Sequence, residues 1–339
     1  MTTFASPWRL VVLAIIAIAV LWAVFGGRGR GKRVCVYTSV DQVHAEPILR
    51  AFEAETGIKV LAVYDIEAAK TTGLADRLIA ERDKPQADVF WNGEFSQTLR
   101  LREKGVLAPV SSEIAPVAGD AEGYWRASGG RARVILVNKQ RLKPDEYPAS
   151  LQDLLAERYP GEQIAIARPL FGTTATHAAA LAAVWGMEKT VDFFTRLRNR
   201  GVRVVEGNSV VRDLVAKGEV MFGLTDTDDS FGAIQAGADV EMIYPDQTEL
   251  GTLVVPTTVA MINGAPHPDE AQKLVAYLAR QDTQERLAKI GWSQLAMDYS
   301  GVWREIASGR EVRSMTVSLA DVQRCLEPVQ KALREIFLQ

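Results

Sequence analysis

The sequence has little of the chemistry on which most enzymes depend. Only two cysteines and three histidines occur in 339 residues. Neither a CxxC motif nor a histidine pair lies near Cys35 or Cys325, so no zinc site can be built from them. No GxSxG, HExxH or GxxxxGK[ST] motif and no Cys/His arrangement is present. His44, His177 and His267 leave little for general-base work, although Asp228 and Asp229 could in principle form an acid/base pair. An enzyme is therefore not expected. Positive charge is also scarce where it would matter. Arg9, Arg28, Arg30, Lys32 and Arg33 precede Val34 without an acidic counterpart, which leaves 34 basic against 42 acidic groups in the remainder. An acidic body argues against nucleic acid as a partner.

What is present describes a globular protein. Hydrophobic residues make up 47% and charged residues 24%, and the length exceeds one ordinary core, so two lobes are expected. Within Trp8 to Phe25, Leu10 to Phe25 is an almost unbroken apolar run just short of a comfortable span, read as a signal peptide or N-terminal membrane anchor over 1–33. The basic residues after it would, by the positive-inside rule alone, hold the body in the cytoplasm. No small and apolar pattern precedes Cys35, so a lipid-modified cysteine is not expected. In an oxidising compartment Cys35 and Cys325 could tie the C-terminal helix to the first strand; two unpaired, buried thiols are the alternative.

The chain centres on Met221 to Gly232, MFGLTDTDDSFG, where an apolar run ends in Asp226, Asp228 and Asp229. That pattern puts carboxylates at the end of a buried strand, where open α/β sheets bind ligands. Clustered Asp side chains repel unless a cation, a donor array or a helix N-terminus compensates them. An Asp-rich helix cap and turn would give the same pattern.

Around this stretch strands and helices alternate. Val34 to Thr38 and Ile58 to Tyr64 read as strands, with a helix from about His44 to Thr56 between them that Gly57 stops. A helix over Glu67 to Asp83 leads to the strand Ala87 to Trp91, and ARVILVN is a further strand. Lys139 to Pro148, rich in Pro and charge, suits a crossing between lobes. The alternation repeats from Ile164 through an Ala-rich helix, Ala178 to Trp185, to Tyr244. The run Thr252 to Ile262 then returns to the first lobe, and helices are expected to fill most of the remainder. The reading is α/β, two doubly wound lobes joined by a hinge with the ligand cleft between them. Lobe 1 spans 34–138 plus about 250–290, lobe 2 spans 139–249, and C-terminal helices span 291–339.

The ordered blocks VYTSVDQ, AFEAETGIKV, QADVFWNGEF, RARVILVN, PLFGTTATH, GNSVVRDLVAKGEVMFGLTDTDD and GTLVVPTTVAMINGAPHP resemble the extracellular solute-binding proteins of ABC importers. Among them the chain looks most like the iron(III)-type binding proteins, over Val34 to about Gly291. The resemblance implies a type II periplasmic-binding-protein fold, export to the periplasm, an ABC permease as partner, and closure of a hinge over one ligand. A monomer with no resident cofactor is expected, ferric iron being cargo. Iron-binding relatives hold the metal with a His or acidic residue after the first strand, a Glu after the third and two adjacent tyrosines in the second lobe. These positions fall on Asp41, on Glu94 one residue late because of Gly93, and on Asp228 and Asp229. Carboxylates in place of phenolates suit Fe(III), another hard cation or the ammonium of an organic ligand. The alternatives are the same fold binding a small organic solute such as a phosphonate, sugar phosphate or amine, or acting as a membrane-anchored sensor domain.

Further cleft candidates follow. Arg131 and Arg133 share one strand face and could meet an anion or form structural ion pairs. Gly172, Thr173 and Thr174 at a helix start offer donors to an anion, as does Asn208-Ser209, though plain caps explain both. Tyr37, Thr38, Ser39, Thr71 and Thr72 are candidate donors from the first lobe. Trp91 could floor the cleft or be core, and His177 reads as a packing residue rather than a ligand.

Overall fold

The computed structural model describes residues 32–65, 73–110, 119–120, 122–297 and 302–338. The Leu10 to Phe25 run and the candidate donors Thr71 and Thr72 lie outside the described residues. Among those described, no helix is long and apolar enough to cross a membrane.

The first sheet begins with β1 (Arg33–Thr38), β2 (Lys59–Tyr64) and β3 (Val89–Asn92), and β1 pairs in parallel with both of the others. Their crossovers carry α1 (Gln42–Thr56) and α2 (Gly73–Ala80). Apolar residues at helical spacing give α1 its buried face of Ala45, Ile48, Leu49 and Phe52, and Gly57 ends it in the left-handed conformation at φ 68°. After β3 come α3 (Ser96–Glu103), β4 (Leu107–Ala108) and the long strand β5 (Arg126–Asn138).

The second sheet contains β6 (Ile164–Ala167), β7 (Arg203–Val205), β8 (Phe222–Asp226) and β9 (Val240–Ile243). Strand β6 runs parallel to β7 and β8, while β5 is antiparallel to β8 and β9. Its helices are α4 (Gly172–Trp185), α5 (Met187–Asn199), α6 (Asn208–Ala216) and α7 (Thr227–Gln235). Strand β10 (Val254–Ile262) returns to the first sheet between β3 and β5, and α8 (Pro268–Ala279) and α9 (Gln281–Lys289) follow.

The passage between sheets lies inside β5, not in Lys139–Pro148 as the sequence suggested. Ala132 pairs with Val254 of the first sheet, and the next residue, Arg133, pairs with Asp226 of the second. The change falls at Arg131 to Arg133, between the Gly-rich half of β5 and its apolar run Val134 to Val137, inside one continuous strand and so without the Pro or turn residues that mark a linker. The C-terminal segment also differs from the all-helical expectation. Strands β11 (Leu295–Met297), β12 (Trp303–Glu305) and β13 (Glu311–Val312) extend the first sheet beside β5, and only then does α10 (Leu319–Phe337) begin. Trp303 packs so closely on β5 that a Cβ at Gly130 would lie 2.7 Å from its ring.

Both cysteines are free. Burial, then the Asp88 charge, push the Cys35 thiol up to about 11, so it stays protonated and unreactive.

Candidate functional site

A cavity of about 470 Å³ opens where β5 changes sheets. Strand β8 delivers the acidic cluster to it. Asp226 ends the strand, and α7 starts at once, placing Asp228 and Asp229 in its first turn. One carboxylate oxygen from each of the three can be chosen so that all lie within 4.8 Å of one another.

The three carboxylates are not equivalent. Asp226 is saturated: Arg133 Nη1 donates to Oδ1 at 2.6 Å, and Oδ2 accepts from Thr173 Oγ1 at 2.5 Å and Asn208 Nδ2 at 3.0 Å. Because Arg133 is fully buried, this pair fastens β5, β8, α4 and α6 together. Asp228 Oδ2 takes one bond from Arg131 Nη1 at 3.0 Å, while its Oδ1 is buried without a partner. Asp229 meets Arg212 Nη1 at 3.5 Å and the Thr225 hydroxyl at 3.4 Å. Burial, then the charges of Asp228 and Asp226, push its carboxyl up to about 7. The site is thus short of positive charge at Asp228 and Asp229, and not at Asp226.

Other anticipated residues divide in the same way. Ser39, Asp41, Glu94, Thr173 and Asn208 line the cavity. Glu94, however, caps α3, its carboxylate accepting from the backbone N–H of Ser96 at 2.6 Å and of Gln97 at 3.1 Å. The Asp41 carbonyl accepts the first N–H groups of α1, from His44 and Ala45, each at 2.9 Å. Ser39 Oγ donates to Asn92 Oδ1 at 2.5 Å and accepts from Gly93 N at 3.0 Å.

Thr38, Thr174 and Arg133 do not line the cavity and stand behind its wall. Thr38 Oγ1 accepts from Val40 N, and Thr174 Oγ1 bonds to Asn208 Oδ1. Trp91 is core, its Nε1 donating to Ser128, and Tyr37 donates to Glu81. His177 is buried, and desolvation followed by the Arg133 charge hold its imidazole well below the usual range, so it is neutral.

Six lining residues were not anticipated: Ser96, Ala175, Thr176, Trp292, Leu326 and Gln330. Trp292 carries the Arg131 guanidinium over its ring at 5.2 Å and meets His44 at 5.5 Å. Arg131 also donates to the Gly93 carbonyl at 3.2 Å, so one guanidinium touches both sides of the cavity. Ser96, Ala175 and Thr176 adjoin anticipated residues, whereas no local pattern marks Trp292, Leu326 and Gln330, because packing brings them in from distant segments.

The family model "Bacterial extracellular solute-binding protein" matches residues 33–293. The chain is 26% identical over 321 residues to iron uptake protein A1 of Synechocystis sp., covering 91% of this chain and 88% of that protein. It is 24% identical over 296 residues to a putative 2-aminoethylphosphonate-binding periplasmic protein of Salmonella typhimurium, covering 84% and 83%. Among solved structures it is similar to the Bordetella ferric binding protein, with a TM-score of 0.75, 23% identity, and coverage of 90% of this chain and 99% of that one.

Proposed function

The chain belongs to the bacterial extracellular solute-binding proteins, and from that premise we propose that its cleft captures a cationic ligand through Asp228 and Asp229 for delivery to an ABC permease. The ligand favoured is ferric iron with an accompanying anion; iron uptake is named for one relative that matches over most of the chain and ferric iron binding for another. One observation carries this reading. The Asp229 carboxyl is pushed up to about 7 by burial and its acidic neighbours, beside a buried Asp228 oxygen with no partner. A cation placed between these two groups relieves the repulsion and fills the open acceptor, and hard carboxylate oxygens suit Fe(III). The cavity volume of about 470 Å³ leaves room for the anion beside the metal.

A second reading has its own support. No tyrosine is among the described residues lining the cavity, and Arg131 and Arg212 offset part of the charge on Asp228 and Asp229. An organic ammonium bearing a phosphonate, the ligand class named for the Salmonella relative, asks less charge of the site than a trivalent metal does.

In either case the protein binds and releases, and no catalytic role is proposed. Export would be directed by the Leu10 to Phe25 run, which either is removed or keeps the body at the inner membrane. Titration with ferric citrate and with 2-aminoethylphosphonate, followed by the fluorescence of Trp292 against a Trp292→Phe background, tests the proposal. A saturable response to either ligand that disappears in Asp228→Ala supports it. Responses identical in wild type and variant contradict it.

A further inference from the structure

The C-terminal helix α10 lies beyond the segment matched by the family model, yet it reaches the site. Val322, Val329 and Leu333 form its buried face, and it lies along α4 and α5 while also touching α3. Helix α4 has small residues, Ala178, Ala179, Ala180 and Ala182, buried along its length, which lets α10 approach closely. The neighbouring face of α10 presents Gln323, Leu326 and Gln330 at i, i+3 and i+7. Of these, Leu326 and Gln330 line the cavity, and Gln323 has a buried Oε1 without a partner. Pro328 sits between the two lining residues, removes one helical N–H and permits a bend at that point.

Two observations give this wall a role. Gln330 Nε2 donates to the Leu170 carbonyl at 2.9 Å, fixing the turn that leads into α4 and thereby Thr173. Leu326 and Trp292 are the large apolar side chains among the lining residues, which are otherwise polar, charged or small. A hydrated or oxygen-ligated metal ion gains nothing from a leucine, whereas a methylene chain does.

We propose that Leu326 is a specificity-determining residue that contacts the carbon skeleton of the ligand, with Gln330 a positioning residue that holds the turn into α4 beside it, so that the site selects a cation carrying an organic part, either as a metal chelate or as an organic ammonium. The inference rests on the reading of Asp228 and Asp229 given above. Ligands are then discriminated by what surrounds the positive charge as well as by the charge itself.

The test measures Kd for ferric iron in citrate and in inorganic phosphate, and for 2-aminoethylphosphonate against inorganic phosphate alone. Wild type, Leu326→Asp, Leu326→Ala, Gln330→Ala and Asp228→Ala are compared. The expected result is that Leu326→Asp reduces the preference for the carbon-containing partner by about tenfold, equivalent to about 1.4 kcal/mol. Leu326→Ala should move it in the same direction, and it carries the test if the aspartate variant fails to fold. Preferences unchanged in the Leu326 and Gln330 variants, with binding lost in Asp228→Ala, overturn this inference alone. Equal weakening of both partners would mean that α10 only supports α4, and also overturns it. Binding unaffected by Asp228→Ala overturns the reading of the site and this inference together.

Discussion

Arg131 Nη1 lies 3.0 Å from Asp228 Oδ2, and the same guanidinium donates to the Gly93 carbonyl and covers the ring of Trp292. One cation at the sheet junction therefore compensates half of a carboxylate from the second sheet while bonded to the first. With Arg131→Gln, Asp228 loses its ion-pair partner and repels Asp229 more strongly, so Asp229 should ionise at still higher pH than about 7. Carbon-13 NMR titration of the carboxyl groups reads this directly; an unchanged or lower value would contradict it.

The pH dependence of binding follows from the same group. Below about 7 Asp229 is protonated and a cation must displace its proton, so affinity should fall as pH drops and level off above neutrality. Affinities measured from about pH 5 to about pH 8 check this, and Asp229→Asn should flatten the profile. Stability of the unliganded protein should run the opposite way. The folded-state value exceeds the ordinary 3.8, so ionisation costs stability progressively as pH rises from 3.8 to about 7. Asp246, pushed up to about 6 chiefly by burial, adds in the same direction.

Arg133 and Asp226 should behave as structure. Arg133→Met leaves Asp226 buried without its ion-pair partner, a loss expected to cost about 3–5 kcal/mol in urea unfolding. Losing affinity without losing stability would show that Arg133 contacts the ligand itself.

At the sheet junction, Gly130→Ala places a methyl group 2.7 Å from the Trp303 ring. Overpacking of this kind should destabilise by about 1–3 kcal/mol, and thermal unfolding measures it.

Most of the α/β alternation was legible in the sequence because its signals are local. The stop at Gly57 and the apolar runs of β1, β3 and β10 each declare themselves within a few residues. The sheet change inside β5 was not legible, since the strand continues through it without a turn or a proline, and the Arg131 to Arg133 step reads equally as an ordinary strand face. Strands of two or three residues, β11 to β13, are too short to show a period. At the site, sequence spacing found the acidic cluster but could not divide it. That Asp226 is saturated while Asp228 keeps an open oxygen depends on Arg133 and Arg131 arriving from a strand more than ninety residues earlier. Leu326 and Gln330 were hidden for the same reason: a helix near the C-terminus folds back onto α4.

The most direct measurement is calorimetric titration of the soluble body from Val34 onward with ferric citrate and with 2-aminoethylphosphonate, in wild type, Asp228→Ala and Asp229→Ala. Wild type should bind one of the two ligands. Both variants should lose that binding by about 100-fold or more, equivalent to about 2.7 kcal/mol, while their unliganded melting temperatures stay close to that of wild type. Undiminished affinity in both variants would show that the acidic turn only starts a helix and that the ligand is held elsewhere.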